Sequence, residues 1–145
     1  MKNWCAYQEH SQQEARDKLY DHGLHPNDVE QIIAQLISEN FLNEERYAVA
    51  FAGGKFRIKK WGRQKIKSEL RMRKVSDHCI SKALKQISDN DYLRTLESVI
   101  AKKLKQVKEP NKIKRHYKIL QYAASRGYEK DLIVEVLNGL KEHES

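Results

Sequence analysis

The chain has 145 residues, 33% of them charged and 39% hydrophobic, with a formal net charge of +8 and an isoelectric point near 9.4. That length admits one ordinary domain or a tandem of small modules with a real core, and the basic balance favours an anionic partner, nucleic acid first and an acidic protein surface second. No stretch approaches the ~18 consecutive apolar residues of a membrane span, the N-terminus lacks an apolar signal core, and Cys5 and Cys79 stand outside any CxxC; the expectation is a cytoplasmic protein that does not engage membranes, without disulfide, metal or cofactor.

Taken in order, the elements read as helices throughout. Only Pro26 and Pro110 occur, strand-like alternation is absent, and Leu, Ile, Lys, Glu, Gln and Ala fill the segments with apolar periodicity. Ser11 with Glu14 forms a capping box that opens a helix burying Ala15 and Leu19 and stopping near Gly23. Pro26 suits the first turn of the next helix, whose face is Val29, Ile32, Ile33 and Leu36. Asn43 caps a third, with Glu44 and Glu45 in its first turn and Tyr47, Phe51 and Ile58 apolar. Gly53 and Gly54 mark a weak point or a close helix contact within it; GGKF lacks the spacing of a phosphate loop.

The stretch from Lys55 to Lys74 then holds ten Lys/Arg against one acid, whereas residues 1–54 hold four basic and nine acidic residues. Gly62 reads as a helix cap, with Trp61 and Ile66 as a hydrophobic staple. Arg63, Lys67, Arg71 and Lys74 then recur at helical spacing beside Ile66 and Leu70. Arg63 and Lys65 fall in the first turn, where the macrodipole disfavours cations by about 0.3–1 kcal/mol each. An external anion, phosphate or carboxylate, would offset that. The competing reading is a solvated, solubilising face.

Ser76 caps a helix with Ile80, Ala83, Leu84 and Ile87, and Asp89, Asn90 and Asp91 break the pattern. A long helix follows with Leu93, Leu96, Ile100, Leu104 and Val107. Pro110 and Asn111 restart the chain into a helix bearing Ile113, Tyr117 and Leu120 and ending at Gly127. The last helix buries Ile133, Val136, Leu137 and Leu140.

These helices repeat. With Gly23, Lys74 and Gly127 set equivalent, Ala15, Ile66 and Ile119 coincide, as do Leu19, Leu70 and Ala123; Leu24, Val75 and Tyr128; Val29, Ile80 and Ile133; Ile33, Leu84 and Leu137; and Leu36, Ile87 and Leu140. Shared helical periodicity alone would not hold this phase across a turn three times. The expected fold class is all-α, three tandem three-helix, helix-turn-helix-like repeats forming an elongated, curved array. The repeats fall at 1–40, with a short first helix, at 41–90, with the basic face, and at 91–145. Scattering would test the shape against the ~15 Å radius of gyration of a compact domain of this length.

The run FLNEERYAVAF followed by WGRQKIKSELRMRKVS resembles the RecX family, regulators of the bacterial recombinase RecA. Phe41, Leu42, Tyr47, Ala48, Phe51, Gly62, Ile66, Glu69 and Leu70 match its second-repeat pattern. Lys74 departs from it, standing where the family has Gly, and a left-handed turn there meets a steric clash that Gly avoids. The resemblance implies a non-enzymatic protein of DNA repair, recombination and the SOS response that lies in the groove of the RecA filament on DNA and inhibits the recombinase. The implied partners are that filament and, weakly and without sequence preference, single- or double-stranded DNA, with a monomer expected. The charge pattern puts the contact at Lys55, Arg57, Lys59, Lys60, Trp61, Arg63, Lys67, Arg71, Arg73 and Lys74. A second basic face is expected at Lys112, Lys114, Arg115, Lys118 and Arg126, within or beyond a run from Lys102 to Lys118 that either extends the binding face or only solvates long helices.

Other candidates carry less. Trp61 and Phe56 suit base stacking, although packing is the commoner use of aromatics. His10, His22, His25, His78, His116 and His143 are scattered, with neither companion ligands nor a nucleophile to make a metal or catalytic site. The alternative to a filament regulator is a helix-turn-helix nucleic-acid binder acting without RecA, with Arg63, Lys67 and Arg71 reading a groove. An enzyme is the weakest reading.

Overall fold

In a computed structural model, the structure describes residues 1–144, with side chains through Leu140, so that the His143 side chain and Ser145 lie outside the described part. The described residues are helical without strands: α1 (Lys2–Tyr7), α2 (Gln12–Asp21), α3 (Pro26–Ser38), α4 (Glu44–Gly54), a π-helical turn (Lys55–Lys59), α5 (Arg63–Met72), α6 (Asp77–Lys85), α7 (Asp89–Gln106), α8 (Lys112–Ser125) and α9 (Lys130–Glu144). The all-helical repeat reading therefore holds.

The repeat is written in the turns. Asp21, Met72 and Ser125 end their helices, and two residues later Gly23, Lys74 and Gly127 adopt φ of 78°, 60° and 102°. Leu24, Val75 and Tyr128 then donate their N–H groups to the carbonyls of Leu19, Leu70 and Ala123, while Gly23, Lys74 and Gly127 donate to Tyr20, Arg71 and Ala124. All three are Schellman closures, with an apolar residue on each side of the left-handed position. Lys74 thus takes the conformation that its side chain resists, at roughly 1–2 kcal/mol. The core positions in phase with these turns are buried in every copy at Ala15, Ile66 and Ile119, at Leu19, Leu70 and Ala123, and at Val29, Ile80 and Ile133.

Caps explain most helix starts. Ser11 Oγ accepts from Glu14 N at 3.0 Å, Asn43 Oδ1 from Arg46 N at 2.9 Å, Ser76 Oγ from Cys79 N at 3.3 Å and Asn111 Oδ1 from Lys114 N at 3.0 Å. The Glu14 carboxylate does not return to Ser11; it takes His10 Nδ1 at 2.8 Å and the Tyr47 hydroxyl at 3.0 Å. Asp89 and Asp91 do not break a helix but begin one: Ser88 Oγ caps Asp91 N at 3.1 Å, and the acids sit in the first turn of α7 where the dipole favours them.

By packing, the chain forms two compact units, residues 1–52 with 69–86 and residues 53–68 with 87–145. In the first, α2 packs on α3 over Cys5, Ala15, Leu19, Val29, Ile33, Leu36 and Leu42. His10 is buried there, stacked on Trp4 with centroids 3.5 Å apart. In the second, α7, α8 and α9 pack on one another, and Phe56, Tyr92 and Tyr128 run as a chain of rings with centroids 6.0 and 5.2 Å apart. Four apolar expectations fail here, the first at Leu93, which is 37% exposed while its neighbour Tyr92 is buried. Ile58 is 78% exposed because the π-helical turn inserts a residue and rotates Phe56 inward in its place, and Ile113 and Tyr117 face solvent while Ile119 and Ala123 carry the buried face of α8.

Candidate nucleic-acid and filament interface

The basic stretch begins where α4 loosens. Gly53 and Gly54 close α4, a β-carbon at Gly53 would lie 2.7 Å from the Arg57 guanidinium, and the chain widens into the π-helical turn Lys55–Lys59. Lys60 ends it at φ 59°. The carbonyls left over at this end are taken by the α8–α9 turn: Arg126 donates to Lys59 O and the Tyr128 hydroxyl to Lys60 O at 2.8 Å. Arg57, Lys59 and Lys60 are thereby presented to solvent from a backbone held on both sides. Lys55 is half-buried, and the Trp61 ring is met by Lys55 Nζ at 5.1 Å and Lys65 Nζ at 4.7 Å, within cation–π range.

The N-terminus of α5 is closed from within. Gly62 N donates to Arg126 O at 2.8 Å, Arg63 N to the Tyr92 hydroxyl at 3.0 Å and Gln64 N to Gly127 O at 3.0 Å. These are the orphan donors of the helix start, so internal oxygens supply what the sequence reading asked of an external anion. The Arg63 guanidinium likewise donates to Ile87 O and Asp89 Oδ1, each at 2.9 Å, and lies 4.1 Å above the centre of the Tyr92 ring. Arg63 is a fold residue as much as a surface one.

Tyr92 is the hinge of this arrangement. Its hydroxyl accepts from Arg63 N and donates to the Glu129 carboxylate, and burial followed by the Glu129 hydrogen bond pushes its phenol well above the ordinary range. Tyr92→Phe leaves the Arg63 N–H and the half-buried Glu129 carboxylate without their partner, so it is expected to cost about 1–3 kcal/mol, read as a fall in the urea midpoint.

The remaining candidates divide by their partners. In the first unit, Arg71 donates to Asp77 at 3.2 Å, Arg73 pairs with Glu69 at 2.8 Å and covers Phe51 at 4.7 Å, and Lys74 is exposed. In the second, Lys67 is exposed and has no ion pair among the described residues. The second basic face is partly engaged: Arg115 donates to Glu109 O at 3.1 Å, Lys118 meets Glu109 at 3.5 Å, and Arg126 is turned to Lys59, while Lys112 and Lys114 are exposed. Sequence singles out Lys60 and Lys102 in separate runs and passes over Arg94; the fold lines one concavity with all three. The spacing of four from Arg94 to Ser98 to Lys102 is the signal that would have found them. Among the described residues no cluster suits a metal ion, and no helix is long and apolar enough to cross a membrane.

The family model described as the second three-helix domain of RecX matches residues 43–84, and that of the third three-helix domain matches residues 89–137. The chain is 30% identical over 136 residues to the regulatory protein RecX of Clostridium perfringens (strain 13 / Type A), covering 92% of this chain and 63% of that protein. It is 28% identical over 137 residues to that of Prosthecochloris aestuarii, covering 94% and 88%. Against the relative from Streptococcus uberis it spans about half, 52%. The crystal structure of RecX from Lactobacillus salivarius superposes with a TM-score of 0.87 at 22% identity, over 96% of this chain and 90% of that one.

Proposed function

Since the chain belongs to the RecX family of regulatory proteins, we propose that it regulates a RecA recombinase by lying in the groove of the RecA–DNA filament and inhibiting it, without chemistry of its own. The observation that carries this reading is that Arg57, Lys59, Lys60 and Lys67 are all exposed and none of them has an ion pair among the described residues. Their backbone is held by Arg126, Tyr128 and the closed start of α5. A fold that spends internal bonds on presenting unpaired charge supports an anionic partner more than it supports a solvated face. Arg63 and Arg73 are engaged internally and Arg71 makes a surface pair with Asp77, and the contact is assigned here to Arg57, Lys59, Lys60 and Lys67. The engagement of Arg63 by Asp89, Ile87 O and the Tyr92 ring weighs against a helix-turn-helix reader of base sequence that uses Arg63.

The test is ATP turnover by RecA on single-stranded DNA. The parent protein is expected to inhibit it, and a variant carrying Arg57→Glu, Lys59→Glu and Lys67→Glu is expected to need at least about tenfold more protein for the same inhibition, since like charge is set against phosphate or carboxylate-paired partners. Its helical circular dichroism should stay unchanged and its melting point close to the parent's, each change being a surface one within about 0.5 kcal/mol. Arg63 is left out of the set because its replacement would remove the Asp89 and Ile87 contacts and confuse folding with binding. Equal inhibition by the variant would reject this surface. Absence of inhibition by the parent would reject the recombinase as partner. DNA alone should bind weakly, without sequence preference and with affinity that falls steeply as salt rises, because phosphate contacts release counterions.

A further inference from the structure

Helix α7 has two unlike flanks. Leu93, Glu97 and Ala101 face α9 across a groove with Asp131 and Glu135 on its edge. On the other flank Arg94, Ser98 and Lys102 recur every four residues and so form a straight row, with Thr95 and Val99 beside it. Lys60 joins them from the end of the π-helical turn, and the six residues line one cavity of about 300 Å³. No carboxylate lines it, and Lys60, Arg94 and Lys102 have no ion pair among the described residues.

The position of Lys60 is imposed. A left-handed φ of 59° at a lysine carries a steric cost, met here by the Tyr128 hydroxyl on its own carbonyl and by Arg126 on that of Lys59. That left-handed residue ends the π-helical turn, and its side chain, like those of Arg94 and Lys102, is left in solvent.

We propose that this cavity is a binding site for the sugar-phosphate backbone of single-stranded DNA, deepening the DNA contact of the proposed function and resting on it. Arg94 supplies a fork of donors matched to phosphate oxygens, Lys60 and Lys102 supply point charges, and the Thr95 and Ser98 hydroxyls donate to the same oxygens. Val99 gives the sugar an apolar wall. From Arg94 to Lys102 the row runs about 12 Å along the helix, longer than the separation of neighbouring phosphates on one strand, so it reaches more than one phosphate. A single carboxylate of an acidic protein would leave most of the row unmatched.

The experiment measures fluorescence anisotropy of a labelled oligothymidylate, and of an abasic strand of the same length, with the full chain across a salt series. Arg94→Gln with Lys102→Gln is expected to weaken binding about tenfold at low salt and to flatten the slope of log affinity against log salt by about 1.4, two phosphate contacts at ~0.7 each. Both strands should lose equally. Lys85→Gln with Lys130→Gln removes the same charge from exposed positions outside the cavity and should stay within about twofold of the parent; circular dichroism checks that both variants fold. If the cavity pair loses no more than this control, or if the abasic strand binds far more weakly than the intact one, the cavity is not a backbone site. If the cavity pair loses affinity for polyglutamate and keeps it for DNA, its partner is an acidic protein. If the parent binds neither strand at low salt, the DNA reading itself fails and the cavity's role with it.

Discussion

Gly62→Ala is expected to destabilise the second unit by about 3 kcal/mol or more. A β-carbon there would lie 2.3 Å from the carbonyl carbon and oxygen of Gly127 and 2.5 Å from Tyr128 N, all backbone atoms that cannot swing aside. Separating them would also stretch the bonds from Gly62 N to Arg126 O and from Gln64 N to Gly127 O that close the start of α5. For a chain of this length the thermal midpoint should fall by roughly 6–12 °C. Gly23→Ala is the control. Gly23 occupies the left-handed turn equivalent to that of Gly127, at φ 78° and with no heavy atom within 4 Å of the added carbon, so only the backbone cost of about 1–2 kcal/mol applies. Equal melting of the two variants would mean that the close approach of Gly62 to Gly127 does not exist in solution.

The second large effect is alkaline. Tyr47, Tyr92 and Tyr128 are buried, and burial is the leading cause that raises each phenol. The nearby Glu14 adds to it at Tyr47, Glu129 at Tyr92 and, against the pull of Arg126, Glu129 again at Tyr128, which is pushed up to about 12. A phenol with a folded value above its unfolded value near 10 holds its proton more tightly when folded. Its contribution is therefore complete below pH 10 and is lost as pH rises through the folded values. Tyr128 alone contributes on the order of 2 kcal/mol. The urea midpoint should fall steeply from about pH 10 to 12, and absorbance of the three buried phenolates should appear only together with loss of the helical signal. Ionisation of all seven tyrosines while the circular dichroism stays native would show that these rings are not held as described.

The candidate site was only half legible before folding. Charge density at Lys55–Lys74 is a property of the residue list, and it marks the stretch from which Arg57, Lys59, Lys60 and Lys67 emerge exposed. The list does not say which cations are spent. Arg63 lies 26 residues from Asp89, and Lys118 nine from Glu109, so their pairing depends on which helices meet. Ile58 and Phe56 exchange roles because the π-helical turn breaks the 3.6-residue period on which any periodic reading relies. The spacing of four from Arg94 to Lys102 is visible in the list, but that Lys60 lies beside this row is not, because it comes from another turn 34 residues from Arg94.

By itself the sequence determined the helices, most of their caps and the triple repeat. Those follow from local rules: side-chain oxygens that bond the first free N–H groups, apolar residues every three or four positions, and turns held in phase by the Schellman bonds after Leu19, Leu70 and Ala123. Even Lys74, which lacks the glycine of its two counterparts, follows the phase, since the buried residues on either side, Leu70 and Val75, gain more from staying in the core than the left-handed turn costs. Only the tertiary structure decided that the start of α5 is closed by the α8–α9 turn, that Tyr92 joins Arg63 to Glu129, and that Lys60 faces Arg94 and Lys102. Each of these links residues at least 29 positions apart, and hydrogen bonds and charges at that separation exist only once packing has chosen which helices touch.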